Sequence, residues 1–158
     1  MAKTHLSGEV VSENGFNIGT NLSNKNVIDS NGAVYGRKTI ALNLAGTADT
    51  GGGVLAWANP EDGDIVITRV VANITKKSTA ASTINIGTTA TNATTSSDNL
   101  IDGLDAGTDT ITADNFDNAG TNGKSLQKLA TGKWITVSRA SGAVAGLEGK
   151  LYVDYIVV

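Results

Sequence analysis

The sequence predicts an all-β protein: an antiparallel, jelly-roll-like β-sandwich preceded by an extended N-terminal arm. Short apolar stretches rich in β-branched residues alternate with period two, whereas no segment keeps a helical period over ten residues. Glycine, threonine and asparagine, at 19, 20 and 15 of 158 residues, supply turns and connections. Two long connections, 88–99 and 106–123, favour crossings between sheets over a simple meander. The best helical candidate, 124–129, spans barely two turns.

Residues 1–36 form the predicted arm. This stretch is polar and punctuated by glycine, and its apolar residues come in ones and twos. Asn-Gly pairs at 14–15 and 31–32 indicate tight turns. Segments this short cannot bury a face alone, because ordering each residue costs about 1–2 kcal/mol. We therefore interpret the segment as an arm that becomes ordered against another surface. The alternative is a pair of peripheral hairpins on the main domain.

Residues 37–158 form the predicted sandwich domain. In its first strand Ile40, Leu42 and Leu44 share one face. In the long run 64–74, the residues predicted to face inward are Val66, Val70, Ala72 and Ile74. In the last strand, odd-numbered residues 151–157 form one row and even-numbered residues 152–158 the other. The predicted strands are 39–44, 54–57, 64–74, 83–87, 100–104, 134–139 and 147–158.

Composition excludes several function classes. The absence of cysteine removes disulfide scaffolds, cysteine-ligated metals and cysteine nucleophiles. The net charge of −3 and the pI of about 5.0 argue against nucleic acid as a partner. No apolar run approaches the 18 residues of a transmembrane helix, so we expect no membrane partner. No signal peptide is visible, which predicts synthesis in a cytosol.

No catalytic, cofactor or metal site emerges from the motifs. Gly123-Lys124-Ser125 resembles the end of a phosphate-binding loop, but such a loop needs glycine where Asn118 stands, so a solvated turn is favoured. His5 is the only histidine, which leaves little for a catalytic triad. Trp57 and Trp134 lie in apolar strands and are assigned to the core. Four aspartates share one loop region without the spacing of an EF-hand, and we interpret them as exposed loop acids: Asp98, Asp102, Asp105 and Asp109.

Several segments resemble the small head proteins of tailed bacteriophages. They are residues 4–8, 53–70, 77–87, 96–104, 118–125 and 134–136, and the likeness covers about residues 38–158. The resemblance implies a capsid decoration (cement) protein with a jelly-roll-like domain, made in the host cytoplasm and located on the outer surface of the virion. Its implied partners are the major capsid protein and further copies of itself. We expect a homotrimer, because threefold positions join neighbouring capsomers. The family supplies no catalytic residues.

Three functions from different classes follow. The leading hypothesis is a decoration protein whose arm binds the capsid through apolar residues: Leu6, Val10, Val11, Phe16 and Ile18. The second is a head-fibre or tail-associated module that binds host glycans on an exposed aromatic ring, Trp57 or Tyr152, beside asparagine and aspartate. The third is a glycan-degrading enzyme that uses loop carboxylates such as Asp102 and Asp105.

Overall fold

The computed structural model describes residues 27–28, 34–47, 53–92, 97–108 and 110–158. These ranges form strands, turns and loops without a helix, and so contain no helix that could cross a membrane. The strands are β1 (Val27–Ile28), β2 (Val34–Tyr35), β3 (Arg37–Ala45), β4 (Leu55–Ala58), β5 (Ile65–Lys76), β6 (Ser82–Thr89), β7 (Ile101–Asp105), β8 (Ile111–Asp114), β9 (Gln127–Leu129), β10 (Trp134–Gly142) and β11 (Glu148–Val157).

Two antiparallel sheets pack together. One has the order β4-β10-β6-β7; the other has the order β3-β11-β5-β8, with β9 pairing to a separate part of β5. Strands β1 and β2 form a two-stranded pair of their own. The predicted all-β class and the antiparallel sandwich are therefore confirmed.

The core between the sheets is aliphatic. Inward-facing residues alternate with outward-facing ones on the long strands, as a half-buried strand requires. Branched side chains are stiff and fit a pleated surface, which suits a chain with so few aromatic residues. Side chains that are almost fully buried are Ile65, Ile67, Val70, Ile74, Ile84, Ile86, Leu100, Ile101, Leu129, Ile135, Leu147 and Leu151.

One inward-facing prediction for β5 is wrong, and a β-bulge explains it. Val70, Ala72 and Ile74 are buried as predicted, but towards the start of the strand the buried residues are Ile65 and Ile67, not Val66. The register on β11 shifts there, since Asp154 faces Arg69 while Tyr155 faces Ile67. Thr68 is the extra residue, and it reverses the alternation.

Two short strands lie where the sequence predicts none. Strand β8 falls in the connection 106–123, and β9 takes the place of the helical candidate 124–129, so the helical alternative is wrong. Both strands pair to β5, β8 along Val71–Ile74 and β9 along Ile65–Ile67. Segments of three or four residues show too few alternations to be recognised, and the long neighbouring strand determines their conformation.

Candidate functional site

The predicted partner-binding residues lie outside the described residues. These are Leu6, Val10, Val11, Phe16 and Ile18, together with His5. The structure does describe the place where this segment joins the sandwich: β1 pairs with β2, Gly36 follows, and β3 begins at Arg37. This end of the sandwich is therefore the candidate functional site.

A hydrogen-bonded cluster holds the start of β3 in place. Lys38 Nζ donates to both carboxylate oxygens of Glu61 at 2.8 Å, and the Tyr155 hydroxyl donates to Glu61 Oε1 at 2.8 Å. Lys38 lies on β3, Glu61 in the connection between β4 and β5, and Tyr155 on β11. Charge-assisted hydrogen bonds of this kind are stronger than neutral ones. We call this cluster of Lys38, Glu61 and Tyr155 the arm anchor.

Two neighbours shape the arm anchor. The buried Asn59 donates from Nδ2 to the carbonyls of Gly63 and Leu129, and its Oδ1 accepts the N–H of Glu61 at 3.0 Å. This side chain closes the turn from which Glu61 reaches the other strands. The Trp57 ring lies 5.8 Å from the Tyr155 ring, tilted by 53°, and packs partly buried against the core.

Charge and burial fix the protonation states of the arm anchor. The Lys38 hydrogen bond holds the pKa of Glu61 below its ordinary value, with a smaller contribution in the same direction from Tyr155. Burial, followed by the neighbouring Glu61, raises the pKa of Tyr155 to about 12. At neutral pH the carboxylate is therefore ionised and the phenol protonated, as both hydrogen bonds require.

Replacing Glu61 by glutamine should lower the free energy of unfolding by about 1–2 kcal/mol at pH 7, because Lys38 loses a charged partner. The pKa of Glu61 is lower in the folded chain, so its contribution is complete above the ordinary value of 4.5 and is lost as pH falls through the folded value. Urea unfolding at pH 7 and at acidic pH measures this difference. Asp62→Asn, at the adjacent exposed residue, is the control. An equal loss of unfolding free energy for Glu61→Gln at both pH values would contradict the pairing of an ionised Glu61 with Lys38.

The outer face of the β3-β11-β5-β8 sheet carries one exposed aromatic ring. Tyr152 is 38% exposed and lies opposite Ala41 on β3 and Val71 on β5. Nearby, Asp154 accepts from Thr39 at 2.6 Å and lies 3.1 Å from the Arg37 guanidinium. Of the two aromatic residues predicted for glycan binding, Tyr152 is thus exposed on the outer face of the sheet, whereas Trp57 packs against the core.

The side chains of the loop aspartates form hydrogen bonds with neighbouring loop residues. Asn122 Nδ2 donates to Asp98 at 2.9 Å and to Asp102 at 3.1 Å. Asp105 accepts the N–H groups of Gly107 and Thr108, and hydrogen bonds from Thr108 and Gly107 lower its pKa. Across the described ranges no three acidic or histidine side chains group together; Asp109 lies outside those ranges. The two carboxylates suggested for glycan cleavage, Asp102 and Asp105, hydrogen-bond to different partners.

The segment 120–125 turns and continues into β9, with no helix after it. A buried side chain holds this loop: Asn115 accepts the Val70 N–H at 2.7 Å and donates to the carbonyls of Lys124 and Ser125, each at 3.0 Å. A phosphate-binding loop needs a helix N-terminus at this point. The geometry agrees with the interpretation as a turn.

A shallow pocket of about 270 Å³ lies where β6 and β9 end, with Lys128 and Lys133 in its wall. Lys128 already pairs with Asp64 at 2.7 Å. Pockets for small organic ligands are usually about 300–1,000 Å³. The volume of this pocket falls just below that range.

Local sequence patterns contain only one weak indication of the arm anchor. Glu61 looks like an ordinary turn acid, since its partners Lys38 and Tyr155 lie 23 and 94 residues away. A lysine at the start of an otherwise apolar strand face is the one hint, because an ammonium group that is partly withdrawn from water favours an anionic partner.

Comparison of the chain with protein-family models, with curated proteins and with solved structures gave no match.

Proposed function

We propose that the protein is a structural virion protein, a decoration (cement) protein on the outer surface of a tailed-phage head. It stabilises the shell by bridging subunits of the major capsid protein. The observation that carries the proposal is the arm anchor: residues 1–36 join the sandwich where Lys38, Glu61 and Tyr155 hold the start of β3. A firmly held attachment point lets a bound arm transmit load to the sandwich. Any protein that binds only the mature lattice shifts stability towards it.

The strand order supports a jelly-roll topology for the sandwich. Its eight main strands are β3 to β8, β10 and β11, and they divide into two four-stranded sheets. Every connection between them in chain order crosses from one sheet to the other, except the one from β6 to β7. Paired Greek keys of this kind make up a jelly roll, which is common among viral capsid domains.

The arm supplies the proposed contacts. An extended segment gains affinity from backbone hydrogen bonds and specificity from pockets for alternate side chains. The residues proposed to fill such pockets are Leu6, Val10, Val11, Phe16 and Ile18. Three copies around a local threefold axis would bind a repeated lattice with avidity, even where each contact is weak.

Deleting residues 2–36 should leave a folded sandwich that no longer co-sediments with empty heads. Full burial of one apolar side chain contributes about 1.5–3 kcal/mol, so losing five removes detectable binding. Serine at Leu6, Val10, Val11, Phe16 and Ile18 should have the same effect. The matched control places serine at Asn14, Asn17 and Asn21 and should bind normally.

Circular dichroism checks that each variant is folded, and light scattering gives its mass in solution. Wild-type binding by the deletion variant contradicts the role of the arm. A full chain that does not bind heads contradicts the decoration function itself. A trimer that persists without the arm locates the subunit contacts in the sandwich.

The exposure of Tyr152 favours a second candidate, a head-fibre or tail-associated module for host glycans. The ring lies on a sheet face near the exposed Asn43 and near Asp154. Aromatic faces and amide groups are suited to binding sugar rings. Two binding assays on the full chain distinguish the functions. Glycan binding that is abolished by Tyr152→Ala supports the glycan-binding module. Binding to heads that is unaffected by Tyr152→Ala supports the decoration protein.

A further inference from the structure

An exposed apolar patch lies on the outer face of the sheet that contains β3. Ile156 on β11 is 38% exposed, and Val158, which follows this strand, is 63% exposed. Ile156 lies directly opposite Val66 on β5, which points away from the core because the residues on either side of it are buried. The Val158 N–H continues the pairing of the two strands by donating to the carbonyl of Asp64. We call Val66, Ile156 and Val158 the end patch.

An ion pair lies at each end of the row of residues that crosses the sheet through the end patch. In order across β3, β11, β5 and β9, each opposite the next, the row is Arg37, Ile156, Val66 and Lys128. Arg37 lies 3.1 Å from Asp154, and Lys128 lies 2.7 Å from Asp64. An apolar centre with a polar rim is the usual composition of a protein–protein interface. Because each cation already has its own carboxylate, the row suits an uncharged protein surface better than a nucleic acid or a charged lipid.

The outer face of the other sheet offers no comparable surface in the part of the chain that the structure describes. Thr136 and Ser138 alternate on β10 with core residues and so point outward, yet they are only 0% and 1% exposed. Ser97 lies against the same face, since a Cβ atom on Gly87 would be 2.5 Å from its hydroxyl oxygen. The exposed large apolar side chains of the described ranges all belong to β11, to the residue after it, or to the loop between β8 and β9. A partner is therefore expected on the sheet that contains β3.

The end patch lies where the arm joins the sandwich. Arg37, at one end of the row, is the first residue of β3, and Tyr155 of the arm anchor directly precedes Ile156 on β11. A subunit that holds the arm is therefore tethered close to the end patch. Tethering raises the effective concentration of the two surfaces, so even a small apolar contact adds to the affinity.

We propose that the end patch docks on an uncharged, apolar area of the major capsid subunit that binds the arm. This inference rests on the proposed function and adds to it the face of the sandwich that meets the shell. A second copy of the chain suits the patch less well. A threefold assembly joins two different surfaces of each subunit, whereas a single patch pairs with its own copy only across a twofold axis.

The test is the double variant Ile156→Ser with Val158→Ser in the full chain. Tyr152→Ala is the matched control, because Tyr152 is as exposed as Ile156 on the same face of β11 but lies four residues away, or about 13 Å along the strand. Co-sedimentation with empty heads over a range of protein concentrations gives the affinity. We expect the double variant to bind at least about tenfold more weakly, and Tyr152→Ala to bind like the unaltered chain.

Circular dichroism checks the fold of each variant. Val158→Ser alone repeats the test without altering β11, and should bind severalfold more weakly. Equal affinities for the double variant and Tyr152→Ala overturn the assignment of the end patch and leave the decoration function in place. An unaltered chain that does not bind heads overturns the decoration function and this inference with it. A mass in solution, measured by light scattering, that falls in the double variant assigns the patch to a second copy and overturns the proposed contact with the shell.

Discussion

Replacing Gly142 by alanine is expected to lower the free energy of unfolding by about 3 kcal/mol or more, because two separate costs combine. Gly142 ends β10 with a φ of +67°, a conformation that costs other residues about 1–2 kcal/mol. A Cβ atom there would also lie 2.0 Å from the Ala81 carbonyl oxygen, and backbone cannot yield as a flexible side chain does. The start of β6 would have to move away from β10.

Gly132→Ala is the matched control for this prediction. Gly132 has a φ of +73°, but nothing lies within 4 Å of the position of its Cβ, so only the conformational cost applies. Thermal and urea unfolding should show a melting temperature about 6–12 °C lower for Gly142→Ala, and a fall of a few degrees for Gly132→Ala. Equal losses for the two variants would show that the close approach to Ala81 costs nothing.

Replacing Asn115 by aspartate is expected to have a similarly large effect, about 3–5 kcal/mol at pH 7, without a change of shape. Asn115 is 1% exposed, and its amide donates to the carbonyls of Lys124 and Ser125. A carboxylate offers those carbonyls no donor and faces them with a buried negative charge. A carboxylate oxygen can still accept the Val70 N–H. The loss of stability therefore measures the replacement of the amide NH₂ group alone.

The effect of Asn115→Asp should depend on pH. Burial among carbonyl oxygens raises the folded pKa of the new carboxyl above its unfolded value of about 3.9. Destabilisation is therefore complete above the folded pKa and diminishes as pH falls through it, when the protonated group regains one donor. Asn118→Asp, at an exposed position of the same loop, is the control at each pH. Denaturation of both variants at pH 7 and near pH 4 makes the comparison. A loss for Asn115→Asp that does not depend on pH contradicts a buried carboxylate.

The alternation of apolar and polar residues made much of the fold predictable, and there is a physical reason wherever it failed. The rows on β3 and β11 follow from period two, because one face of each is buried. The inward-facing residues of β5 could not be predicted along its whole length. Apolar β-branched residues lie on both faces of the strand and conceal the bulge at Thr68. Strands β8 and β9 gain their order from β5 and not from their own residues.

The candidate site was less predictable than the fold. The arm anchor joins residues that are far apart in the chain, and no local pattern connects Lys38 to Glu61 or Tyr155. Asn115 is a similar case: in a loop rich in polar residues, the one buried asparagine is indistinguishable from its exposed neighbours.

The packing of Trp57 against Tyr155 gives the protein an internal optical probe. Their ring centroids are 5.8 Å apart, close enough for light absorbed by the tyrosine to be emitted by the tryptophan. Because the Tyr155 hydroxyl is bound to Glu61, a disturbance at the start of β3 alters the surroundings of this pair. With Trp134→Phe removing the other emitter, the colour and intensity of Trp57 fluorescence would follow events at the arm in real time, without a label.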